Sequence, residues 1–84
     1  MQAINRIRKV EPTPGTDAEA AYAVHLDEGP EPHVLIEYAA GGGGKHASEG
    51  HARTLVQDYL GRGESPPSRI GVDRDGNASP HVDT

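Results

Sequence analysis

The chain has 84 residues, carries a net charge of -5, and is 33% apolar with no Phe or Trp, so it has room for one domain around a small core. It contains no Cys, which excludes disulfides, thiolate nucleophiles and cysteine zinc sites. No apolar run approaches the roughly 18 residues of a membrane-spanning helix, there is no apolar leader, and the acidic balance argues against phosphate backbones as general partners, so a cytoplasmic acidic protein is expected.

Taken in chain order, Ile4 to Val10 is rich in Ile and Val and fits a strand, although Ile4 and Ile7 also have helical spacing. Arg6, Arg8 and Lys9 concentrate positive charge there, whereas residues 11 to 44 hold Glu11, Asp17, Glu19, Asp27, Glu28, Glu31 and Glu37 without a Lys or Arg. Turn formers fill Glu11 to Glu19, which predicts a loop. Tyr22, Val24 and Leu26 then alternate with Ala23, His25 and Asp27, and Val34, Ile36 and Tyr38 alternate with His33, Leu35 and Glu37. That period of two predicts two half-buried strands, joined as an antiparallel hairpin through the Gly- and Pro-rich loop of residues 28 to 32.

From Ala47 to Leu60 the period changes. Ala52, Leu55, Val56, Tyr59 and Leu60 make one helical stripe, Ser48 is placed to cap its start, and Gly61 is placed to stop it. His51 stands where a capping box needs Glu or Gln. After a loop at residues 63 to 68, Arg69 to Asp73 predicts a short strand with Ile70 and Val72 facing inward. The expected fold class is therefore α+β, a small two-layer sandwich in which one helix packs on one face of a mainly antiparallel sheet, in β-β-β-α-β order. Residues 1–72 form the expected domain and 73–84 an expected flexible C-terminal tail.

The candidate chemistry is thin. Four glycines precede Lys45 and His46, a run whose backbone N–H groups and helix dipole suit an anion held by Gly42, Gly43, Gly44, Lys45 and His46. The phosphate-loop pattern nevertheless fails, because Ala39 replaces its first glycine and His46 its hydroxyl residue. His46, Glu49 and His51 resemble an inverted zinc-protease motif with one residue inserted. On a regular helix that insertion turns the two imidazoles about 140° apart, so no shared metal is expected. Asp73, Asp75 and Asn77 imitate the opening of a calcium loop, but Ala78 and Thr84 occupy its glycine and glutamate positions, which leaves a turn at Asp75-Gly76. No hydrolase serine elbow is present.

Two stretches carry faint family likenesses. The hairpin YAVHLDEG with a helix ending in DYLGRGESPP resembles HicB-type antitoxin domains over residues 22 to 67, without their appended DNA-binding segment. That resemblance implies a protein toxin as partner. GGGGKHASEGHA resembles the start of the last helix of double-stranded RNA-binding domains, which implies phosphate contact but lacks their basic cluster.

The expectation drawn from the residues is a non-enzymatic module, without cofactor or metal, that docks on a protein partner as a regulator or inhibitor. Its docking residues are His25, His33, Leu35 and Glu37, opposite the core on an edge-exposed hairpin, with a homodimer by strand pairing as one form of association. The alternative is anion or nucleic-acid binding through the glycine-rich turn, with Arg53 and the Arg6, Arg8 and Lys9 cluster.

Overall fold

A computed structural model describes residues 3–40 and 47–80. Five strands, β1 (Arg6–Val10), β2 (Ala18–His25), β3 (Val34–Ala39), β4 (Arg69–Val72) and β5 (Ala78–Pro80), form one sheet in the spatial order β1-β2-β3-β4-β5, with the helix α1 (Glu49–Gly61) between β3 and β4. Every neighbouring pair is antiparallel except β3 and β4, which run parallel. A parallel pair needs a crossover long enough to return the chain to its starting end, and α1 supplies it. The expected α+β architecture and element order are present.

The core lies on one face of the sheet. Val24, Val34, Ile36, Tyr38, Ile70 and Val72 are buried there with Ala52 and Val56 of α1, and Leu55, Tyr59 and Leu60 pack against them, so the helical stripe is the packed one. Ser48 caps the helix as its spacing predicts, accepting the His51 N–H at 3.0 Å. At the other end the stop differs from expectation. Gly61 remains helical, and Gly63 takes the left-handed conformation, φ 74°. The Gly63 N–H donates to the Leu60 carbonyl and the Glu64 N–H to that of Tyr59, both at 3.0 Å, the paired bonds of a Schellman motif.

Two further differences concern the sheet. β2 begins at Ala18, four residues before its alternating pattern becomes legible, with an irregularity between Ala18 and Ala20. β5 falls inside the stretch read as a tail. Asp73 folds back on it, its carboxylate accepting the Asp75 and Asn77 N–H groups at 2.9 Å, and Gly76 supplies φ 85°, so the imitation calcium loop is a hairpin turn between β4 and β5.

Candidate functional site: the open face of the sheet

Because side chains alternate across a strand, the residues between the core positions point to the face that α1 does not cover. Register arranges them in rows. Arg8, Ala23, Leu35 and Arg69 lie side by side across β1 to β4, and Val10, Ala21, Glu37, Gly71 and Ser79 form the next row across all five strands. Arg6 stands beside His25. The expected docking residues of the strands, His25, Leu35 and Glu37, do share this face.

Their exposure corrects the expectation. The hairpin of β2 and β3 is central rather than at an edge, flanked by β1 and β4, so strand pairing through it has no free edge to use. His25 is fully buried and Glu37 is 6% exposed, while Leu35 is half-buried. Ala21 and Ala23 are also buried, since each small side chain lies in register between longer ones: Val10 and Glu37 for the first, Arg8 and Leu35 for the second. The floor of the face is thus made by alanines, and its relief by the groups beside them.

Glu37 is held from two directions. Arg69 Nη2 donates to Oε1, and the Thr13 N–H donates to Oε2 at 3.3 Å. Burial by itself pushes its pKa up, but the bonds from Arg69 and Thr13 and the Arg69 charge outweigh that, leaving it below the ordinary value. The pair sits in the wall of a concavity of about 320 Å³, which Thr16, Asp17, Asp73 and Ser79 also line. His25 Nε2 accepts from Arg8 Nε at 3.0 Å, and its Nδ1 is a buried atom with no hydrogen-bond partner among the described residues. His33 lies outside the strand, just before β3. It is exposed, accepts the Leu26 N–H at Nδ1 over 3.2 Å, and brings Nε2 to 3.5 Å from Asp27. It belongs to the hairpin loop rather than to the face.

The alternative site residues Gly42, Gly43, Gly44, Lys45 and His46 lie outside the described residues. His51, from the zinc-like motif, bonds instead to the buried Tyr38 hydroxyl, Nδ1 to oxygen 2.9 Å, and Tyr38 meets Tyr22 edge-on at 6.1 Å. Burial, with Tyr22 adding a smaller effect, pushes the Tyr38 phenol well above its ordinary range. Among the described residues, no group of three or more His, Asp or Glu is placed to hold a metal ion. Nor is any described helix long and apolar enough to cross a membrane.

Three arginines of the face are not assigned to it by the sequence alone. Arg6 and Arg8 show there only as part of a basic cluster, and carrying the alternation of β2 across to β1 would have placed them. Arg69 becomes visible only once β3 and β4 are taken as parallel, which a strand-helix-strand order already suggests. Comparisons with protein-family models, with characterised proteins and with solved structures find no match to this chain.

Proposed function

We propose that this chain is a small non-enzymatic docking module that binds an acidic surface of a protein partner through the open face of its sheet. The observation that carries the reading is the Leu35 row: a half-buried apolar side chain with Ala23 and Arg69 as its register neighbours and Arg8 at the end. An apolar centre rimmed by arginines is the composition that protein interfaces favour. Glu37 and Arg69 neutralise each other and Asp17 and Asp73 line the concavity beside them, so the uncompensated positive charge of this face is that of Arg6 and Arg8 at its β1 side. The excess positive charge selects an acidic partner although the chain itself is acidic.

The groups that would be candidates for catalysis have structural tasks. Glu37 is tied to Arg69 and Thr13, His25 to Arg8, and His51 to Tyr38. These engagements support binding rather than turnover.

The test is capture from host lysate, with and without nuclease, by the wild-type chain and by Leu35→Asp, each checked for folding by circular dichroism. A nuclease-resistant protein retained by the wild type and lost with Leu35→Asp is the expected result. Equal retention by both, no retained protein, or retention that vanishes with nuclease would sink the reading; the last outcome would favour the glycine-rich turn.

A further inference from the structure

The sheet has two edges, and they differ. β5 is three residues long and ends in Pro80, which has no N–H to offer a neighbouring strand. β1 is five residues, RIRKV, without proline, and its Arg6, Arg8 and Lys9 are exposed. Among the described residues no strand pairs with the outer side of β1; such an edge invites pairing, and charge decides with what. Two copies of β1 would set cations against cations, which disfavours self-pairing.

The state of those cations points to the occupant. Among the described residues, ion pairs to carboxylates engage Arg53, Arg62 and Arg69, whereas Arg6, Arg8 and Lys9 have no carboxylate within 4.0 Å. Arg8 is steadied by the imidazole of His25, and Arg6 by the Gly29 carbonyl at 3.5 Å. Both guanidiniums are thereby oriented but not neutralised. They stand two residues apart on the same face, a spacing of roughly 7 Å along a strand, which is also the spacing of alternate side chains on an added strand.

We propose that the β1 edge accepts an extended acidic segment of a protein partner as a sixth strand, with alternate carboxylates facing Arg6 and Arg8. This rests on the docking reading and names its mode: backbone bonds supply adhesion, and the two arginines select acidic sequences. The segment would extend the open face next to the Leu35 row.

The full chain, labelled with nitrogen-15, is titrated with three blocked heptapeptides: alternating Glu and Val, alternating Lys and Val, and the Glu peptide with proline in place of each valine. The expected result is amide shifts centred on Arg6 to Val10 and slowed amide exchange there with the first peptide only. The Lys and Pro peptides should bind at least tenfold more weakly, and Arg6→Glu should weaken the Glu-Val peptide about tenfold in low salt, as attraction becomes repulsion. Equal binding of the proline peptide, shifts centred elsewhere, no binding at millimolar peptide, or tighter binding of a single-stranded oligonucleotide to the same strand would overturn the proposal. Loss of peptide binding alongside Leu35-dependent capture would remove this inference alone, and loss of the capture would remove the reading beneath it.

Discussion

Replacing Glu37 with Gln tests the physics that holds the open face together. The Glu37 side chain is 7% exposed and that of Arg69 is 24% exposed, so this pair lies between a surface ion pair and a fully buried one. Breaking a buried pair costs about 3–5 kcal/mol, while an exposed pair contributes about 0–1 kcal/mol. The exposure of Arg69 discounts the upper figure, and the Gln amide oxygen still accepts from Thr13, which places the loss at about 2 kcal/mol. In a chain of 84 residues each kcal/mol moves the thermal midpoint by roughly 4–8 °C, so Glu37→Gln should lower it by roughly 8–16 °C at pH 7. The pH dependence has a definite sign. The folded carboxyl titrates below its ordinary value, so its stabilisation is complete above about pH 4.3 and is lost as the pH falls through the folded value. Urea unfolding followed by circular dichroism should therefore show the full gap between wild type and variant at pH 7, and a much smaller one at pH 3. A gap under about 0.5 kcal/mol at pH 7, or one unchanged at pH 3, would refute the assignment.

Tyr38→Phe removes the hydroxyl bonded to His51 and should cost about 1 kcal/mol at neutral pH. Since the folded phenol titrates above its ordinary range, the wild type should lose stability as the pH rises past about 10, and the Phe variant should be less sensitive there; equal alkaline sensitivity would refute the buried phenol. Gly63→Ala forces a β-carbon into the left-handed region at φ 74° and should cost about 1 kcal/mol by thermal unfolding, although nothing lies within 4 Å of the added atom. A neutral result would mean that the helix does not end as described.

What could be read from the residues depended on how local the cause was. The stripe of α1 repeats within one segment, and Ser48 caps that same segment, so both were visible without knowledge of the rest. The hairpin was visible because alternation and a proline-rich loop occur together. The residues place the helix stop two positions early because Gly61 and Gly63 are both compatible with it, and only the bonds to Tyr59 and Leu60 decide between them. β5 was hidden because ASP has no alternation to display; it exists through its pairing with β4 and the Asp73 turn.

The site was legible in direction but not in depth. Alternation along β2 and β3 places His25, Leu35 and Glu37 opposite the core, yet exposure depends on which strands lie alongside, and that is a nonlocal fact. With β1 on one side and β4 on the other, the polar groups of the hairpin become buried, and each acquires a cation from a neighbouring strand: Arg8 for His25 and Arg69 for Glu37. A buried carboxylate or imidazole without such a partner would be costly, so the outer arginines are what permits these residues to line an alanine floor. The consequence for recognition is an exchange of roles. In the proposed docking mode the histidine and glutamate that alternation singles out act as supports, and a partner would meet the half-buried Leu35 and the arginines that those supports orient. A partner chosen by this face would therefore be selected by its acids rather than by its bases, contrary to what the net charge of -5 suggests.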